Sequence, residues 1–220
     1  MDPATDQKPP AEGVIQFAYD LQPADGAPIS TENFAQMAAW RSILRQLDLL
    51  GQDPLRYEGL GFGNLSVRDP QQPEEFAITA SQSSGADALS EKSLVRVLHC
   101  NLGRFWVDAQ GSHPPSSETL THGMIYAADP AIHWIFHCHS PEIWNRAEDL
   151  ALPCTPENVG YGTPSMTAAV AQVLRRHRSR PILFATLGHE DGLFACGATA
   201  QEAGALLVGT LSRARARASD

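Results

Sequence analysis

The sequence contains no CxxC pair. Its four cysteines, Cys100, Cys138, Cys154 and Cys196, are scattered, which excludes a Cys-rich zinc module and reads as reduced thiols rather than a disulfide framework. Long apolar runs are missing as well: none approaches the ~20 residues needed to span a bilayer. The opening MDPATDQKPPAEG has neither the basic start nor the apolar middle of a secretory signal. A cytoplasmic protein without a membrane partner is expected. Basic residues are in deficit, with 16 Lys and Arg against 25 Asp and Glu, for a net charge of −9. That balance argues against diffuse phosphate binding and so against a nucleic-acid partner. Arg213, Arg215 and Arg217 stand near the end, but residues two apart spread around a helix and suit its C-terminal dipole. No internal repeat is present.

What the chain does have is enough apolar material for one core, at 220 residues and 43% hydrophobic content. Residues 1–13 are polar and Pro-rich and are expected to form a disordered tail, leaving 14–220 as one domain. VIQFAYDL alternates as a short strand would. STENFAQMAAWRSILRQLDLLG reads as a helix with Thr31 as N-cap and Gly51 as a stop. From 63 to 107 short extended runs follow one another without crossover helices, which predicts a largely antiparallel sheet with helices packed on it. Helices then alternate with strands. SETLTHGMIYAA, SPEIWNRAED and TPSMTAAVAQVLRRH are helical, the last two with a favourable cap followed by Pro at N1. TAQEAGALLVGTLSRA carries Thr199 and Glu202 at capping-box spacing.

The stretch HWIFHCHSPE holds the most informative pattern. On a strand, His133, Ile135, His137 and His139 share one face, while Ile132, Trp134, Phe136 and Cys138 share the other, apolar and core-facing side. Imidazoles at i and i+2 point the same way about 7 Å apart along the strand, near enough to converge on a cation with bonds of about 2 Å. The same spacing also describes two solvated polar residues on an exposed face. A third candidate ligand, His189, lies in a short turn between two apolar strands, where a loop can bring a side chain to the rim of the sheet.

HPPSSETLTHGMIY supplies a second group. Ser116 or Ser117 is placed to cap a helix, with Glu118 in its first turn, where the dipole favours a carboxylate. Hydroxyls and free N–H groups at a helix start equally make an anion site. His122, four residues after Glu118, lies on the same helix face. It is either a hydrogen-bond partner of Glu118 or an ordinary packed or exposed helix histidine.

GFGNLSVR, ITASQSSG, PPSSETLTHGMIY, IFHCHSP, YGTPSM and GHEDGLFACG, in this order, resemble the class II aldolase/adducin family over about four fifths of the chain. The resemblance implies a single α/β domain with a largely antiparallel central sheet and helices on both faces. It implies His137 and His139 as ligands of a divalent ion, zinc by preference, and Glu118 as the acid/base. Asn64, Ser116 and Ser117 would line an anion pocket with the loop around Ser84 and Gly85. The family's third metal histidine usually stands directly before the glycine. Here the order is GHEDG, with Asp191 in that slot and His189 two residues earlier. His189 is the expected ligand because it completes a three-nitrogen set, with Asp191 or Glu190 as a further ligand or a hydrogen-bonding support.

TASQSSG is longer than the aldolases' compact phosphate turn, and neither the segment 148–162 nor the C-terminus offers an obvious match to the aldolase tyrosine. The reaction implied is therefore broad. It is lyase or isomerase chemistry of aldolase, epimerase or dehydratase type on a small sugar-phosphate or related polyhydroxy carbonyl substrate, through an enediolate. The alternative is a non-catalytic, adducin-like interaction module. A metal hydrolase with Glu118 activating water is a third reading, and the lack of a helical HExxH counts against it. The resemblance further implies a homo-oligomer, a tetramer, for which Trp106, Trp134, Trp144 and Tyr161 offer aromatic anchors.

Overall fold

A computed structural model describes residues 12–217 of the chain. In chain order the elements are β1 (Ala18–Gln22), α1 (Thr31–Gln46), β2 (Gly51–Gln52), β3 (Gly61–Phe62), β4 (Asn64–Arg68), β5 (Phe76–Thr79), β6 (Leu94–Asn101) and β7 (Trp106–Gly111). These are followed by α2 (Thr119–Ala128), β8 (Trp134–His139), α3 (Pro141–Trp144), β9 (Cys154–Thr155), α4 (Pro164–Arg176), β10 (Ile182–Thr186), β11 (Gly192–Gly197) and α5 (Ala200–Arg217). Nine strands form one sheet in the order β1-β7-β6-β5-β4-β8-β11-β10-β9, and β2 pairs with β3 apart from it. Among the described residues only the two outermost pairings, β1 with β7 and β9 with β10, are parallel. The antiparallel core expected from successive strands is present, and parallel partners are confined to the edges.

Local chemistry sets the element boundaries. Ser30, one residue before the expected Thr31, caps α1 by accepting from the Asn33 N–H at 3.2 Å. Ser140 and Thr163 cap α3 and α4, each followed by Pro at the first helical position. At α5 the Thr199 hydroxyl accepts from the Glu202 N–H at 3.1 Å, while the Glu202 carboxylate accepts from the N–H of Ala198 at 2.8 Å. This is the capping box with its return bond moved one residue outward. VIQFAYDL is extended only in its second half, as β1.

The sheet is buried on both faces, and here the sequence reading of β8 needs correction. Trp134, Phe136 and Cys138 pack into one apolar cluster with Met37 and Leu44 of α1, Ile143 of α3 and Leu207 of α5. Ile135 belongs to a second cluster with Leu120 and Ile125 of α2 and Met166 and Val170 of α4. The face carrying the histidines is thus a covered side of the sheet, and His137 and His139 have no exposed surface. Two imidazoles could occupy such a face only with partners for their nitrogens.

Candidate metal centre and anion cleft

β8 is hydrogen-bonded on both edges, with Asn64 of β4 and Phe194 of β11 opposite His137. Alternation along the strand turns His137 and His139 to one side, where their Nε2 atoms lie 3.2 Å apart. Nδ1 of His137 donates to the Leu193 carbonyl at 3.0 Å, which leaves Nε2 with its lone pair free. The ring is further fixed by stacking on Phe194 at 4.4 Å between centroids. His189, in the turn between β10 and β11, completes the group: ligand atoms of His137, His139 and His189 all lie within 4.8 Å of one another.

Carboxylates surround this cluster. Oε1 of Glu118 approaches Nδ1 of His189 at 3.4 Å. Glu12 places Oε2 at 2.8 Å from Nε2 of His189 and Oε1 at 3.9 Å from Nε2 of His139. Asp191 accepts a 2.6 Å hydrogen bond from the Tyr57 hydroxyl, and Tyr57 packs edge-on against His139. Burial holds His137 and His139 well below the usual imidazole range, with His189 adding to the effect. For His189 burial acts in the same direction, but Glu12, Glu118 and Asp191 outweigh it and raise its pKa. Burial also raises the Glu118 carboxyl, against the opposing pull of His189.

These features fit a divalent cation. Two nitrogens on one tetrahedral ion, with bonds of about 2.0–2.1 Å, lie about 3.3 Å apart, close to the Nε2 spacing seen here. Glu118 Oε1 is buried without a hydrogen-bond partner, and three carboxylates gathered around one imidazole favour a further positive charge there.

The expected anion-binding residues largely converge beside this cluster. Asn64, Ser84, Ser116 and Ser117 line one small cleft with Gly61, Gly63, Ser81, Gln82 and Glu12. Gly63 is required in its wall: its φ is +76°, and a Cβ there would stand 2.6 Å from Leu50 Cβ and 3.0 Å from the His137 carbonyl. The Asn64 Oδ1 is buried without a partner, whereas the Ser84 hydroxyl donates to the Gly51 carbonyl at 2.9 Å. Gly85 is turned instead to Gln52, whose side chain fills the space a Cβ would take.

Glu118 sits at the N-cap position of α2, one residue before its first turn, and Ser116 Oγ accepts from its N–H at 3.3 Å. His122 bonds neither Glu118's carboxylate nor solvent. Its Nδ1 lies 2.7 Å from the Ser66 hydroxyl, which also meets the Tyr126 hydroxyl at 2.7 Å. The sequence reading overlooked two further residues. Tyr57 stands at a positive φ of 49° in an irregular loop, and only the nearby glycines of YEGLGFGN mark that loop as special. Glu12 falls in the segment expected to be a disordered tail. Residues 1–11 of that tail lie outside the described residues, while Glu12 and Gly13 pack against the site.

Fold and histidine cluster together define a mixed α/β protein with a site able to hold a divalent cation. Residues 54–216 match the family model described as class II aldolase and adducin N-terminal domain, and the chain belongs to that family. A sequence search of curated proteins returned no match. Among solved structures, the chain resembles an L-fuculose 1-phosphate aldolase at 20% identity and TM-score 0.63, covering 86% of each chain. It also resembles the L-fuculose-1-phosphate aldolase from Thermus thermophilus at 20% identity and TM-score 0.63, over 86% of this chain and 94% of that one. Sugar-phosphate aldolase from Thermotoga maritima shares 16% identity at TM-score 0.57, over 86% and 95% of the two chains. At these identities the likeness is one of fold.

Proposed function

We propose that the protein is a divalent-metal-dependent lyase or isomerase of aldolase, epimerase or dehydratase type, acting on a small sugar-phosphate or related polyhydroxy carbonyl compound. The observation that carries this reading is Glu118, a buried carboxyl group with an unpaired oxygen, set beside three converging histidines. Such a group is desolvated enough to take and return a proton. His137, His139 and His189 would hold the ion, zinc being favoured by an all-nitrogen set. A bound ion of this kind supplies Lewis acidity to the oxygens of a hydroxy carbonyl substrate. Asn64, Ser116 and Ser117 present polar groups beside it and would orient the substrate's phosphate or equivalent anion, while Glu118 moves the proton on the carbon next to the carbonyl. Asp191, held by Tyr57, would support the histidines from behind.

The metal-loaded protein is expected to exchange the proton next to the carbonyl of a fitting hydroxy carbonyl phosphate with solvent deuterium, read by NMR over a panel of such compounds. Failure of every compound to exchange, with the ion bound, would favour the adducin-like interaction module instead. The four free thiols suit a reducing cytoplasm, and no helix among the described residues is long and apolar enough to cross a membrane. The working unit is expected to be a homotetramer, a closed symmetric assembly that the family resemblance implies. Light scattering at micromolar concentration should then give about four times the 23.8 kDa chain mass, and a monomer that turns over substrate would refute it.

A further inference from the structure

We infer that Glu12 is a fourth protein ligand of the divalent ion in the substrate-free protein, holding the position that substrate oxygens would take in the reading above, and that it is delivered to the three-histidine centre by the segment that precedes β1. The inference rests on the metal reading above and adds a residue to it. Among the described residues Glu12 is the one carboxylate that reaches two of the three histidines, with one oxygen 2.8 Å from Nε2 of His189 and the other 3.9 Å from Nε2 of His139. Glu118 contacts His189 alone at this range, on Nδ1, and Asp191 is engaged by the Tyr57 hydroxyl.

The position of Glu12 follows from a built path rather than a loose end. Gly13, at φ +73°, lies so close to Gln82 that a Cβ would stand 2.1 Å from its amide nitrogen. Gln82 is itself held by the Gly61 N–H at 2.8 Å. Gln16 donates to the Tyr161 carbonyl at 2.8 Å, and the Tyr161 ring stacks on His189 at 4.5 Å. Phe17 then anchors in the apolar cluster beneath α2 and α4. Fastened at Gly13, Gln16 and Phe17, the segment aims a carboxylate with 9% side-chain exposure at imidazole nitrogens. Glu12, Glu118 and Asp191 all act on the one His189 imidazole, and a divalent cation would neutralise three carboxylates more fully than that ring alone. The same residue rims the anion cleft, where an unneutralised carboxylate would repel the anion the cleft is suited to hold.

The test uses full-length protein stripped of metal, then titrated with Zn²⁺ against a chromophoric chelator and separately with Co²⁺, whose visible spectrum reports coordination. Glu12→Gln and Glu12→Ala are expected to weaken zinc binding at least about 10-fold and to change the cobalt spectrum, with circular dichroism unchanged. The His137→Ala/His139→Ala variant serves as control and should lose binding altogether. Zinc affinity and cobalt spectrum both unchanged in the Glu12 variants, with the control negative, would overturn the role of Glu12 and leave the histidine centre standing. Binding that survives in the control would overturn the histidine centre itself, and Glu12 as its fourth ligand with it.

Discussion

Replacing His137 and His139 together with alanine is expected to take the protein from about one divalent ion per chain to almost none when it is purified without chelator. The expectation follows from geometry. Both proposed ligands stand on β8, whose backbone is bonded on each side and would keep its place when side chains are shortened, so a neighbouring nitrogen is not expected to move in to replace them. His189 would remain, but a single imidazole with carboxylates binds zinc far less well than three converging nitrogens. Elemental analysis of wild type and variant decides the matter, and equal metal content would sink the assignment. The third ligand is tested in the same way. His189→Ala should lose the ion, whereas Asp191→Ala, which frees Tyr57, should weaken binding less. The reverse order would make Asp191 the ligand.

Glu118→Gln should leave the ion bound and lower turnover on the true substrate by on the order of 10²-fold or more. Glutamine keeps the shape of the side chain, the N-cap position of α2 and the contact with Ser116, and removes only the capacity to exchange a proton. A pure structural role would show as a loss of stability with little change in turnover per folded molecule. Metal content, thermal stability and rate measured together on one preparation separate the two, and a Gln variant as active as wild type would rule out Glu118 as the acid/base.

The residues readable in advance were those whose spacing has a geometric meaning along one element. His137 and His139 at i and i+2 on a β-branched, aromatic strand could be placed on one face from the sequence, and so could the Ser-Pro and Thr-Pro helix starts. The burial of that face could not, because it depends on α2 and α4, which lie at other points in the chain. The same limit applied to His122. Its spacing from Glu118 pointed along the helix, yet its partner proved to be Ser66, 56 residues away on β4. Glu12 and Tyr57 had no periodicity to betray them. One sits in a polar, Pro-containing lead-in and the other in a strained loop, and both acquire meaning only through residues more than a hundred positions distant. Gly85 shows the converse, a residue plausible by its loop whose neighbour in space is Gln52.

The placement of β8 between β4 and β11 also bears on how the protein would be supplied. Because the sheet itself fixes the two imidazoles, an ion held there would be a guest in a finished frame and not the nucleus around which the chain folds. Synthesis under metal starvation should therefore yield an intact protein waiting to be charged. Since divalent ions of the first transition row differ in affinity in a fixed order that a nitrogen site does little to reverse, which of them takes the place in a cell would follow the cell's free metal pool as much as the protein's own preference.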